Sequence, residues 1–586
     1  MNNASLELGG TNWAEKDGNI LGYSVGDTSG KYSPQEFTFA RGSNLSATRI
    51  DRAGLIVKGR ENVLLQSNSL DTSPWVKLDG ATLVSGQSGY DGSLDAWRIN
   101  ITNLSNSGLY QAIPLNGVYS YSIYAKAGDI NYLGFTNFAG SNYDIFFNLS
   151  NGTIANQSGF IDATITSAGN GFYRCTLTSV NPVYLQMKPS STASNTSTAG
   201  YIFMQDLQVE LGLAASPYIE TTTTSAQAGV LENTPRLNYT TGVANPYLLL
   251  EPSRTNLIAQ SEYFGDSYWT KDGASVVGGF TSPEGLSNAF KLTEDSSNAV
   301  HLLQRGFTVS SGSSYTYKIF VKMNGRKKIM LRESGSTGYY VAFDLLNNTI
   351  IDQSNAIGTI NNIGNDWVEL THTSVSGNSF NIAYFILPDN YVSGQPQTYQ
   401  GDGTSGFYIY GAQLEEGSYP TSYIPTYSVS ATRAQDVCNK TNASGEIGQT
   451  EGTMFVDLSN VQNLDFPEIT IDNNSNTDRI VLTRDATGNW GIFVASSVTT
   501  PSSNVVYSAV GGTSGKFAIA YSSIGYVLYR NGVQISTLTY GLPSALSVFR
   551  LNGRSTNDYN SIKNINQAQL YTTRLTNAEL ATLTTI

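Results

Sequence analysis

Sugar recognition needs flat rings beside amides and carboxylates, because the apolar face of a pyranose packs on an aromatic ring while polar neighbours bond its hydroxyls. The chain offers that pattern at Tyr263, Phe264 and Tyr268, which crowd around Trp269, and at the adjacent pair Tyr339 and Tyr340. These five are the candidate glycan-binding residues. Trp75 and Trp269 are larger rings, but they recur at equivalent places in a duplication, which points to a core or strand-edge role. Catalysis has less to draw on. A glycosidase needs two carboxylates ~5–10 Å apart across a cleft, and no local acidic pair stands out in an aromatic-rich segment. The two histidines, His301 and His372, leave little material for a Ser-His-Asp triad or a His-rich zinc site, and the two cysteines, Cys175 and Cys438, form no cluster. The chemistry on offer is binding, and the protein is expected not to be an enzyme.

Those rings sit inside a repeat. R-E-N-V-L-L-Q-S-N-S-L-D-T-S-P-W-V-K, from Arg60, returns as R-T-N-L-I-A-Q-S-E-Y-F-G-D-S-Y-W-T-K, from Arg254, so that Asn62, Gln66, Ser67 and Trp75 meet Asn256, Gln260, Ser261 and Trp269. The match runs on. Gly92, Ala96 and Trp97 meet Gly285, Ala289 and Phe290; Tyr119, Tyr121, Ile123 and Tyr124 meet Tyr315, Tyr317, Ile319 and Phe320; Gln208, Glu210, Tyr218 and Ile219 meet Gln413, Glu415, Tyr423 and Ile424. A period this long is a whole folded module in two copies, since solenoid repeats run to only ~20–50 residues.

The elements that must position these residues are strands. Of the 586 residues only 13% are charged, against a usual ~25%, while Gly, Ser, Thr, Asn and Tyr abound, a balance that suits short strands joined by polar turns. The chain is therefore read as all-β and multidomain. Residues 1–58 are polar and turn-rich and are expected to form an extended arm. Modules follow at 59–225 and 251–435, separated by a connector, 226–250, that Pro235 and Pro246 make stiff. A third kind of domain occupies 441–586. It contains a hairpin turning at Asp485 to Asn489, a second turning at Asn531-Gly532 with the φ > 0 residues of a type I′ turn, and a short helix capped by Thr576 with Glu579 in a capping box. The net charge of -12 argues against nucleic acid and against an anionic membrane surface. No run of ~20 apolar residues suggests membrane insertion, and the first residues lack the pattern of a secretory signal.

Asn256, Leu257, Ile258 and Trp269, with F-Y-I-Y-G-A-Q-L-E-E-G from Phe407, resemble the first and last strands of jelly-roll carbohydrate-binding modules. L-L-L-E-P-S-R-T-N-L-I, D-G-T-S-G-F-Y-I-Y-G-A-Q-L-E-E-G-S-Y-P-T-S-Y-I-P-T and A-T-R, together with F-T-F-A-R-G-S and A-T-R-I-D-R-A-G-L-I near the N-terminus, are similar to fibre and tail proteins of tailed bacteriophages. Phe517 to Tyr521, Tyr529 to Gly532 and Leu570 to Leu580 resemble concanavalin-like or laminin G-like sandwiches. The fold these resemblances imply is two tandem jelly-roll β-sandwiches and a C-terminal concanavalin-like β-sandwich behind the N-terminal arm.

The function they imply is that of a non-enzymatic virion appendage, a tail or head fibre contributing to attachment to host-surface glycan. A tailspike-type polysaccharide depolymerase and an inert capsid or tail decoration are the alternatives. Weak single sugar sites gain from multiplicity, so the expected partners are further copies in a homotrimer, other virion proteins held through the N-terminal arm, and a host cell-surface glycan. No cofactor is expected. Jelly-roll binding modules commonly hold a structural calcium near the first and last strands, and Gln413, Glu415 and Glu416, matched by Gln208 and Glu210, are the residues to test for it. Tyr410 and Gly411 stand where such families carry acidic ligands, and the other reading of the same side chains is that they fix a turn.

Overall fold

The computed structural model describes the chain except residues 1–3, 17, 26–31, 105, 114–115, 138–143, 181–183, 195–197, 335–337, 376, 378, 463–467 and 557–560. It is all-β and multidomain, with one α-helix, Asn577–Leu583, among the described residues.

The duplication is exact in topology. In the first module one sheet runs in the order Asp162–Gly169, Phe172–Val180, Val118–Ala127, Gly200–Leu211, Ala96–Ile101, Thr82–Gln87. The second module repeats it as Ile357–Gly364, Trp367–Val375, Ser314–Asn324, Gly406–Glu416, Ala289–Glu294, Ala274–Phe280. The facing six-stranded sheets correspond in the same way, strand for strand. Period-2 alternation gives each sheet an apolar inner face: Ile99, Ile123, Leu133, Phe147 and Met204 fill the first core, and Leu292, Ile319, Leu331, Phe343 and Leu414 fill the second. Trp75 and Trp269 belong to these cores, and each indole N–H donates at 2.9 Å to the carbonyl of Gln66 or Gln260. They hold the modules together and present no ring to a ligand.

The N-terminal segment departs from expectation. The described residues among 1–58 do not form an extended arm. The strands Leu6–Gly9, Asn19–Val25 and Tyr32–Ala40 enter the same closed sheet system as the strands between Val437 and Tyr571. Leu6 pairs with Leu570 and Leu8 with Ala568, while Cys438 pairs with Phe39. Leu6, Leu8, Ile20, Phe37 and Phe39 are buried beside Trp490, Phe517 and Leu570 in one core. The physical cause is alternation, since L-E-L and F-T-F each put two apolar side chains on one face of a strand. The connector is likewise more than a stiff link. Its strand Tyr247–Leu250 pairs with the strand Lys563–Tyr571, and its Leu248 and Leu250 lie in that terminal core. Both modules are thus insertions into a domain built from the two ends of the chain.

Candidate glycan-binding groove

The five sequence candidates do not converge. Phe264 is fully buried and packs on Trp269 and Phe290 at ring separations of 5.2 and 5.9 Å, so its candidacy is withdrawn: a ring without an open face cannot stack on a sugar. Tyr263 is half-buried against Phe290. Tyr268 is half-buried with the Arg305 guanidinium 4.0 Å above its ring centre, and its hydroxyl accepts from the Ala259 N–H. Tyr339 and Tyr340 lie elsewhere on the same module. Tyr340 opens the strand Tyr340–Asp344, and three strands separate it from Thr270–Asp272, next to Tyr268. At ~4.8 Å per strand that is about 19 Å. Tyr340 donates to Asp352 at 3.0 Å, and burial followed by this bond pushes its phenol up from the ordinary value.

The residues named for calcium do not fit the ion. Glu415 takes the Thr421 N–H and hydroxyl, each at 2.6 Å, on its two oxygens, and Gln413 bonds Glu415 through its amide and the Ile424 N–H through its oxygen. Glu210 and Gln208 do the same with Ser216 and Ile219. With both oxygens of Glu415 and of Glu210 committed to a turn and Glu416 exposed, these side chains do not converge on a cation, and among the described residues no group of three or more His, Cys, Asp or Glu is placed to hold one.

A concavity of about 720 Å³ lies where the second module, the connector and the terminal domain meet. Its floor is the outer face of a sheet of the second module. Thr359 pairs with Thr371 and Asn361 with Glu369 in register, and the two threonine hydroxyls bond at 2.7 Å. Lys318 donates to Glu369 at 2.8 Å and to the Thr421 carbonyl at 2.6 Å, so the floor's ionic groups neutralise one another. One wall is apolar: the half-buried ring of Tyr247 packs against Leu249, Tyr419 and Ile562, which are themselves buried. The connector forms the other side: Tyr239 is tied by its N–H to the Ile50 carbonyl at 3.0 Å, and Asn238 accepts from the Ile50 N–H at 2.6 Å while donating to the Tyr247 hydroxyl. Thr241 reaches the Asn362 carbonyl at 3.4 Å and closes one end. Rings on one side and hydroxyls and amides on the other are the two halves of a sugar site.

Sequence reasoning missed this groove because three segments far apart in the chain make it. The one local signal was L-N-Y-T-T-G in the connector, whose tyrosine and hydroxyls exceed what a spacer needs.

No family model matches the chain, and no curated protein does. Among solved structures it is similar to the CBM40 of a Ruminococcus gnavus IT-sialidase bound to alpha2,3 sialyllactose, at 17% identity over 23% of this chain and 84% of that one, with a TM-score of 0.21. It is similar to a tandem CBM22-1–CBM22-2 domain from Paenibacillus barcinonensis, at 11% identity over 64% and 100%, with a TM-score of 0.22. It is similar to a Trypanosoma rangeli sialidase, at 10% identity over 98% of both chains, with a TM-score of 0.21. Likeness this slight carries no functional argument, because sandwiches of one build host unrelated activities.

Proposed function

We propose that the protein is a non-enzymatic structural appendage of a virion that contributes to attachment by holding a neutral glycan in the junctional groove. The groove itself carries this reading: a cavity of about 720 Å³ with the half-buried rings of Tyr239 and Tyr247 on its sides and a floor of hydroxyls and a self-neutralised ion pair. A virion setting is supported by the ordered sequence segments that resemble bacteriophage fibre and tail proteins. A single such site binds at high micromolar to millimolar strength, ~4–6 kcal/mol, so attachment depends on several copies acting together, for which a homotrimer serves. Since the strands Leu6–Gly9, Asn19–Val25 and Tyr32–Ala40 are built into the terminal domain, contact with other virion proteins falls to that closed domain and not to a free arm.

The test is retention of purified protein on immobilised neutral oligosaccharides and on host cells. Thr359 is exposed on the floor, and Thr359→Trp fills the groove without touching either core; retention should fall at least about tenfold, because the added side chain takes the space of the bound sugar. Tyr340→Ala should leave it unchanged. Equal retention by wild type and Thr359→Trp would remove the groove from the reading, reducing ends released from host polysaccharide would replace it with a depolymerase, and no retention at all would favour an inert decoration.

A further inference from the structure

Arg254 opens the second copy of the repeat where Arg60 opens the first, and the two guanidinium groups meet different surroundings. Arg60 is neutralised: it pairs with Glu284 and lies 4.0 Å from Glu210. Among the described residues Arg254 makes no ion pair. Its Nη1 donates to the Ser253 carbonyl at 3.1 Å, but its buried Nε has no acceptor among the described residues. A buried donor left without an acceptor is destabilising, and native structures keep few of them. The group is nevertheless held in place. Tyr419 lies beneath it with the ring centre 5.1 Å away, a cation–π contact that fixes its plane. The strand Arg254–Asn256 is paired with Ala431–Arg433, and the Thr255 and Thr432 hydroxyls bond at 2.8 Å.

Arg254 lines a cavity of about 630 Å³ at this end of the second module. Thr255, Thr308 and Ser310 add hydroxyls to it, Leu257 adds apolar surface, and Glu416 adds one exposed carboxylate. Gly417 stands against the Nε–Nη2 edge of the guanidinium, where a Cβ would come within 3.1 Å of Nε and 3.2 Å of Nη2. A side chain there would cover the edge; glycine leaves room beside it.

These groups narrow the ligand. Nε and Nη2 form a two-donor fork that matches a carboxylate bidentately. A compact inorganic dianion fits poorly, because Glu416 shares the cavity and repels it. A sugar acid suits both ends, since its carboxylate takes the fork while its ring hydroxyls donate to Glu416 and bond the threonine and serine hydroxyls. We propose that this cavity binds a pyranose bearing a carboxylate, as a second glycan site with the opposite charge preference to the junctional groove. The two sites share no lining residue, so this inference does not rest on neutral-glycan binding in the groove.

The test titrates the full chain with methyl glucuronide, methyl glucoside and inorganic sulfate, read by saturation-transfer NMR. The glucuronide should bind saturably, at least about tenfold more tightly than the glucoside, the usual weight of a charge-assisted pair, and less tightly as salt rises. Arg254→Gln should bring the glucuronide down to the level of the glucoside, whereas Arg254→Lys, which keeps the charge and loses the fork, should retain part of the gain. Glu416→Gln should weaken glucuronide binding, because the sugar hydroxyls then donate to a neutral acceptor, and Thr359→Trp in the groove should leave it unchanged. Absence of saturable glucuronide binding, equal affinity for the glucoside, sulfate binding as strong as the glucuronide, or wild-type binding by Arg254→Gln would each overturn the proposal. So would weaker binding by Thr359→Trp, which would put the glucuronide in the groove, or tighter binding by Glu416→Gln, which would make Glu416 the partner of Arg254 in the free protein.

Discussion

Asn62 and Asn256 show how far two copies can agree at the level of one side chain. Each amide nitrogen donates to two carbonyls, Leu207 and Ile219 or Ala412 and Ile424, and each oxygen accepts two N–H groups, Leu64 and Val209 or Ile258 and Leu414. A buried amide with all four bonds made fixes the first strand of the module to its last. His372, against which the first module sets Leu177, is the opposite case. It is fully buried and stacks on Tyr317 at 4.3 Å, and burial pushes its imidazole down to about 3. An unfolded histidine titrates near 6.5. Between those two values the unfolded chain binds a proton that the folded one refuses, so stability is full above about pH 7 and is lost as pH falls from 6.5 toward 3. At ~1.4 kcal/mol per unit, the loss at pH 4.5 is about 2–3 kcal/mol. His372→Phe should flatten that acid limb, read as the urea midpoint of wild type and variant from pH 7 to 4.5; parallel curves would show that another group drives it. Little of this was legible beforehand. The sequence marks His372 only as an ordinary strand or loop residue, and it is the fold that puts it in the strand Trp367–Val375 with its side chain buried.

Strands joined by local turns were legible, and strands joined at a distance were not. The hairpin of Arg479–Arg484 with Asn489–Ala495 is where D-A-T-G-N put it, with Asp485 accepting from the Thr487 and Asn489 N–H groups at 2.9 Å. Asn531 and Gly532 have φ of 49° and 82°, and Thr576 and Glu579 form the capping box. Each depends on residues within a few positions of one another. The joints between domains depend on residues hundreds apart, and there the chain's scarce charges are buried. Arg41, Arg236 and Arg433 surround Asp436 and Glu251, just as Lys58 and Arg60 meet Glu262 and Glu284. Charge counts in sequence suggest a solvated surface, so burial of this kind leaves no local trace. Removing one partner from a buried pair strands the other, at about 3–5 kcal/mol. Lys58→Met should therefore lower the calorimetric transition of the second module by that amount, and adding Glu262→Gln should recover part of it. Independent, additive losses from the two changes would mean that the joint is not a coupled pair.

Across the whole molecule the ends of the chain and the connector strand Tyr247–Leu250 make one domain, and the two modules are inserted into it. Arg41 and Asp436, on the two sides of the insertion, pair at 2.9 Å with both side chains buried, which fixes the outgoing and returning strands side by side. Such closure decides what the first residues are for. Burying Leu6, Leu8, Ile20, Phe37 and Phe39 at ~1.5–3 kcal/mol each contributes about 10 kcal/mol, as much as the whole net stability of an ordinary domain. A dispensable docking arm could be cut away without cost to the fold. The closed domain cannot lose it. Protein lacking residues 1–41 should keep the unfolding transitions of both modules and lose that of the terminal domain, and a separate peptide of residues 1–41 should restore it in proportion to its concentration, as a bound strand must. Unchanged calorimetry after the truncation would contradict the closure, whereas restoration by peptide would tie the groove to it as well, because Ile562 in its wall lies beside the strand Lys563–Tyr571 on which Leu6–Gly9 docks.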